Sequence, residues 1–195
     1  MDITDFSCSS PATTVVTLSV VGQNGDTATC TANVTFSAPL HVAFAHNFGS
    51  VDAELIHDIE TDATGNIYVT ANTAGTADFD PGAGTANATN ETVVAKYASD
   101  GSLVWLKSFS GNIPLAQVAP DNSGNVYFLA SYQGTVDFDP GAGTNNYTAT
   151  GIQDVAIVKL DANGDFVWSK TTWGAFSSPN EGTVNIIDAA VDDIH

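Results

Sequence analysis

The chain contains no arginine, and its only basic residues are four lysines set against 22 acidic residues, giving a formal charge of −18 over 195 residues. Proteins that hold nucleic acid or anionic lipid neutralise phosphates with clustered Lys and Arg. A chain this poor in cations cannot do so, which excludes nucleic acid and anionic membrane surfaces as partners. Long apolar runs are also missing. Val15-Val16 and Val20-Val21 fall far short of the ~20 residues that span a bilayer, so no membrane insertion is expected. Charged residues make up only 13% of the chain and hydrophobic ones 43%, enough apolar side chain to form a core. No stretch keeps a 3.6-residue apolar period over three turns, so almost no helix is expected. No CxxC, HExxH, GxSxG or phosphate-binding loop occurs, and His41, His46, His57 and His195 lack paired ligand spacing. The N-terminus has neither the basic nor the apolar stretch of a secretory signal. Its acidic, Thr- and Asn-rich composition nonetheless suits an extracellular protein, so an excerpt of a longer secreted polypeptide is expected.

What the chain does have is a duplication. Asp62-Ala-Thr-Gly-Asn-Ile-Tyr68 recurs 59 positions on as Asp121-Asn-Ser-Gly-Asn-Val-Tyr127. Gly75-Thr-Ala-Asp-Phe-Asp-Pro-Gly-Ala-Gly-Thr85 recurs at the same offset as Gly134-Thr-Val-Asp-Phe-Asp-Pro-Gly-Ala-Gly-Thr144. After a four-residue insertion the offset becomes 63, and Asp100-Gly-Ser-Leu-Val-Trp105 matches Asn163-Gly-Asp-Phe-Val-Trp168. The lysines keep this register, Lys96 with Lys159 and Lys107 with Lys170. Such self-similarity marks a repeat architecture. Four short strands are expected in each repeat. Residues 66–71 and 125–130 follow Asx-Gly turns, and a second strand leads into each Asp-Phe-Asp-Pro-Gly segment, where Pro and Gly end it. Residues 92–97 and 103–109 form a hairpin across Ser99-Asp-Gly-Ser102, as do 155–160 and 166–170 across Ala162-Asn-Gly-Asp165.

A four-stranded unit in tandem reads as a blade of a β-propeller. The joint pattern Asp-x-x-Gly-Asn-x-Tyr, Val-x-Lys and Asx-Gly-x-x-x-Trp resembles the SBBP-type β-propeller repeat of bacterial secreted proteins. The resemblance covers roughly residues 42–195, with repeats at about 51–110 and 111–173 and a third beginning near Ile186–Asp193 within 174–195. Before it, residues 13–21 and 27–36 alternate apolar and polar around Gly22-Gln-Asn-Gly-Asp26, a hairpin pattern. With Cys8 and Cys30 this segment resembles the closing strands of a HYR-type immunoglobulin-like module. The implied fold is all-β: a partial propeller of two four-stranded blades and the start of a third. It follows residues 1–36, the C-terminal part of an Ig-like sandwich, and a linker over 37–50. A sandwich of ~100 residues and a ring of several blades both exceed this chain, so both ends are expected to be cut.

Candidate chemistry is sparse. In an extracellular sandwich Cys8 and Cys30 favour a disulfide; two buried thiols are the alternative. Asp78 and Asp80, with their counterparts Asp137 and Asp139, are candidate calcium ligands, since alternate carboxylates share a strand face beside a Gly-rich turn. The competing and favoured reading gives Asp80 and Asp139 to turn amides and Asp78 and Asp137 to repeat-equivalent lysines. Asp161-Ala-Asn-Gly-Asp165 reads as a plain turn. Trp105 and Trp168 suit blade packing better than sugar stacking, because both repeats carry them. Asn33, Asn87, Asn90 and Asn146 begin Asn-x-Thr sequons of the kind Thr-rich strands generate unselected. No cofactor is expected apart from calcium. What the resemblance implies is a non-enzymatic structural or adhesin-like module, extracellular or at the cell surface. Its partners are the remainder of its own longer chain, other surface proteins or glycans. A glycan-binding propeller is the second reading and an extracellular hydrolase the third.

Overall fold

The protein is all-β. A computed structural model describes residues 13–21, 27–35, 45–47, 53–172 and 190–191, the first two stretches as backbone. The chain divides into two units, Met1–Ala43 and Phe44–His195. In the first, β1 (Thr13–Val21) pairs antiparallel with β2 (Thr27–Thr35). The register sets Val16 opposite Ala32, Leu18 opposite Cys30 and Thr17 opposite Thr31, so in the middle of the ladder apolar meets apolar and threonine meets threonine. Cys8 and Phe36 lie outside the described residues, and so does the expected Cys8–Cys30 bridge.

The second unit carries the duplication. Its first repeat runs β3 (Leu55–Thr61), β4 (Ile67–Asn72), β5 (Thr76–Asp78), β6 (Asn87–Thr89), β7 (Thr92–Tyr97) and β8 (Leu103–Phe109). The second runs β9 (Asn112–Pro120), β10 (Val126–Gln133), β11 (Thr135–Asp137), β12 (Asn146–Thr148), β13 (Asp154–Leu160) and β14 (Phe166–Thr172). Each repeat forms a four-stranded antiparallel meander, β3-β4-β7-β8 or β9-β10-β13-β14. A separate two-stranded ribbon, β5-β6 or β11-β12, is inserted between its second and third strands. The four-residue insertion falls between β12 and β13.

Four strands per repeat was therefore an undercount, and the sheet is not built from the four expected. The strand entering Asp-Phe-Asp leaves the sheet and pairs with 87–89 or 146–148 instead. The sheet's first strand, β3 or β9, went unexpected. Both are irregular: β3 is bulged at His57, and β9 carries Pro114 and Pro120 with a register shift near Ser131. Proline and bulges are tolerated on a strand with only one sheet neighbour. The hairpin turns form where the Asx-Gly pairs put them. Gly101 and Gly164 sit at φ 88° and 78°, a region open to glycine at no steric cost.

Both repeats bury the aromatic rings of their ribbons, Phe79 and Phe138, beneath the sheet. The larger core cluster runs across the two repeats: Tyr68, Val94 and Phe109 of the first pack with Ile113, Ala116, Val118 and Phe128 of the second. Phe109 and Phe128 stack with centroids 4.6 Å apart and planes 16° from parallel. Each such side chain contributes roughly 1.5–3 kcal/mol by leaving water. The first repeat thus has sheet contacts on the side facing the second, and its two middle strands are buried along almost their whole length.

Candidate functional site

The Asp-Phe-Asp loops are alike to within tenths of an ångström. Asp78 Oδ1 accepts the amides of Asp80 (3.0 Å) and Ala86 (2.8 Å), and Asp80 Oδ1 accepts that of Gly82 (2.7 Å). Asp137 takes the amides of Asp139 and Asn145 at 3.0 and 2.7 Å, and Asp139 takes Gly141 at 2.8 Å. The ring between the two acids points the other way, into the core. A Cβ on Gly84 or Gly143 would stand 2.0 or 2.1 Å from the second carboxylate oxygen of Asp80 or Asp139, so the loop is wrapped closely around that group. Hydrogen bonds from the Ala86 and Asp80 amides hold the Asp78 carboxyl below its ordinary range. Among the described residues no three His, Cys, Asp or Glu side chains gather in a way that could hold a metal. The four candidate ligands face amides of their own loops.

The lysine half of the favoured reading fails. Asp78 and Asp137 pair with loop amides, and the lysines lie elsewhere. Lys96 and Lys159, on the third strand of each sheet, sit over the rings of Tyr68 and Tyr127, 5.1 and 4.9 Å from the centroids. Lys107 bridges to Asp165 at 3.1 Å, and Lys170 lies over Trp168 at 5.6 Å. Strand pairing decides this, because Lys96 stands directly opposite Tyr68 and Lys159 opposite Tyr127.

A second repeated constellation was not anticipated, although the duplicated register carries all of its members. At the turn into β4, Asp62 accepts the amides of Thr64 and Asn66 and the Asn66 side-chain amide. Tyr68 donates its hydroxyl to Asp62 at 3.0 Å. Burial alone would raise the Asp62 pKa, but these donors, Asn66 foremost, outweigh it and bring it down to about 2. Burial and the adjacent carboxylate push the Tyr68 hydroxyl well above its usual range. In the second repeat Asp121 caps its turn through Ser123 and Asn125, and Lys159 donates to the Tyr127 hydroxyl at 2.9 Å. That bond is the main reason the Lys159 pKa is raised. Trp105 and Trp168 meet Tyr68 and Tyr127 edge-on, with centroids 6.3 and 6.2 Å apart.

The first repeat's version of this cluster grips the second repeat. Trp105 Nε1 donates to the carbonyl of Ala162 at 3.1 Å, and Lys107 reaches Asp165 in the same turn. Gly164 lies between them; a Cβ there would come within 2.5 Å of Lys107 Cε and 3.0 Å of Trp105 Cδ2. At the other edge of the contact, Thr70 donates to the Ala116 carbonyl, Asn72 to that of Ile113, and the Val118 amide to Asp58. No family model matches the chain, and neither a curated protein nor a solved structure matches it. The tyrosines, lysines and tryptophans of the two repeats hold strands and repeats together.

One cavity of about 160 Å³ opens at the rim between the repeats, lined by Asn72, Thr73, Asn90, Glu91, Asn112 and neighbouring backbone. Asn90 adopts φ 52°, held by accepting the Gly75 amide, and Ser110 donates to Glu91. In the second repeat the four-residue insertion reshapes this rim. There Asp154 accepts the amide and hydroxyl of Thr150, and Gln153 bonds Ser131.

Proposed function

We propose that the chain is a structural, adhesin-like module of a large secreted or surface-anchored bacterial protein. In this reading SBBP-type propeller blades follow the closing strands of a HYR-type immunoglobulin-like module. The observation that carries it is the use made of the repeat-equivalent side chains. Trp105 and Lys107 clamp the neighbouring repeat. Asp78, Asp80, Asp137 and Asp139 tie down their own loops. A residue present in every unit and engaged in holding units together is an architectural part, and a tandem array of such parts suits extension from a cell surface. The −18 charge keeps such a module away from nucleic acid and anionic lipid and favours a hydrated surface location.

The glycan-binding reading has one observation in its favour, the amide- and carboxylate-lined cavity at Asn72, Asn90, Glu91 and Asn112, whose hydrogen-bonding groups are the kind that hold sugar hydroxyls. A glycan array probed with the full chain separates the two, together with antibody labelling of intact source cells. The structural reading expects surface labelling and no saturable glycan signal. A glycan signal abolished by Glu91→Gln or Asn112→Ala, and kept by Trp168→Ala, would replace it with the lectin reading.

A further inference from the structure

The rim cavity of about 160 Å³ takes its walls from both repeats, and its lining residues hold one another in place. Thr73 and Glu91 are tied through their backbones and through the Thr73 hydroxyl. Thr92 donates to Asn72 at 2.7 Å, and Asn72 donates in turn to the Ile113 carbonyl of the second repeat. Among the described residues three polar atoms of this rim have no partner: Glu91 Oε2, Asn112 Oδ1 and Asn90 Nδ2. Glu91 takes one bond, from Ser110 to Oε1, and belongs to no ion pair there. The second repeat does not copy these groups. The equivalent of Glu91, 63 positions on, is Asp154, which is 1% exposed and accepts the Thr150 amide and hydroxyl. The equivalent of Asn112, 59 positions back, is Ala53. Side chains that both repeats share serve the architecture, whereas Glu91 and Asn112 belong to this rim alone.

We propose that this cavity receives an arginine side chain of a partner protein, held by the Glu91 carboxylate. This deepens the module reading above, on which it rests, by naming the chemistry of one partner contact. A guanidinium presents a planar fork of N–H donors that meets a carboxylate with two bonds at once. The Ser110 bond does not block this, because a carboxylate oxygen accepts more than one donor. Asn112 Oδ1 takes a further N–H of the fork, and Asn90 Nδ2 is left for a backbone carbonyl of the same partner. The protein's own cations are occupied elsewhere. It has no arginine, and its four lysines are engaged at their own sheets, over Tyr68, on Asp165, at the Tyr127 hydroxyl and over Trp168. The −18 charge draws cations to the surface and repels anionic ligands. Arginine is favoured over lysine because a guanidinium is the more weakly hydrated and enters a half-enclosed site more readily. No aromatic ring lines the cavity, so a sugar ring finds no stacking platform in it.

The test titrates the full, isotope-labelled chain with an end-blocked peptide, Gly-Ser-Arg-Ser-Gly, and with its citrulline and lysine analogues, and reads backbone amide shifts by NMR. The arginine peptide should give saturable shifts confined to 72–75, 90–92 and 110–113. Citrulline keeps the shape of the side chain and removes its charge, so that peptide should bind about 10-fold more weakly or worse. Glu91→Gln should weaken the arginine peptide by about 10- to 100-fold, the worth of a charge-assisted contact, with the rest of the amide spectrum in place. Glu60→Gln removes the same charge from β3 and should change binding by about 2-fold or less. A citrulline peptide that binds as well as the arginine one overturns the proposal in favour of a neutral ligand. A lysine peptide that binds as well or better overturns the guanidinium assignment. Shifts scattered over the acidic surface and weakened equally by Glu60→Gln mean general counterion attraction and overturn it, as does the absence of saturable shifts. Surface labelling of cells tests the module reading separately, so either can fail alone.

Discussion

Replacing Phe109 by alanine probes the contact between repeats at its centre. The ring is 1% exposed and stacks on Phe128 at 4.6 Å, although the two residues belong to different sheets. Truncating a buried Phe costs about 3–5 kcal/mol through lost transfer energy and the cavity left behind. Of this, roughly 0.5–1.5 kcal/mol belongs to the ring pair itself. For a chain of this size each kcal/mol moves Tm by about 2–4 °C, so Phe109→Ala should lower the melting temperature by roughly 6–20 °C. Calorimetry and urea unfolding monitored by far-UV circular dichroism give both numbers. Phe128→Ala should cost a similar amount, and the double variant less than the sum by the ring-pair coupling. Val104→Ala, at a residue 51% exposed on the outer strand, serves as the control and should stay within about 0.5 kcal/mol. A Phe109→Ala shift no larger than that of Val104→Ala would mean that the two repeats do not rely on this contact, and the packing argument would be wrong.

Gly164→Ala and Gly134→Ala both place a Cβ at positive φ, a strain of about 1–2 kcal/mol. Only the first also drives it into Lys107 and Trp105, so it should be the more destabilising by about 1 kcal/mol or more in urea melts. The Asp62 carboxyl titrates at about 2 in the fold, below the ordinary value near 3.9. A depressed carboxyl contributes stability above its unfolded pKa and loses it as pH falls through the folded one, so stability should fall from about pH 4 down to pH 2. Asp62→Asn should flatten that acid limb in a pH series of melts. Chelator should leave Tm unchanged, because Asp78, Asp80, Asp137 and Asp139 are met by loop amides. A large loss in chelator that Asp80→Ala abolishes would restore the calcium reading.

What could be read from sequence was what local chemistry determines. Strands Thr13–Val21, Thr92–Tyr97 and Leu103–Phe109 lie where alternation and Asx-Gly turns put them, because a two-residue turn that tolerates positive φ fixes the ends of both its strands. The duplication also exposed the equivalence of Trp105 and Trp168 and of the lysines. β3 and β9 were invisible because their place depends on partners far along the chain: β9 packs on β3 and β4 of the preceding repeat. The same reason explains the misassigned lysines. Alternation places Lys96 on a face, but only the β4–β7 register sets it opposite Tyr68 and away from Asp78. The Asp-Phe-Asp segment was legible in part, since an acid before Pro-Gly accepts turn amides whatever surrounds it. That the ribbon leaves the main sheet is a matter of strand pairing, which single-strand pattern does not encode.

The contacts of Trp105, Lys107, Phe109 and Phe128 tie the two repeats into one cooperative body. Native-state hydrogen exchange as a function of urea tests it most directly, following 67–72 and 92–97 of the first repeat beside 126–133 and 154–160 of the second. All four segments should converge on one opening free energy with a common urea dependence, and Trp105→Ala should lower all four together. Two separate isotherms, with the first repeat opening at a free energy that Trp105→Ala leaves untouched in the second, would contradict it.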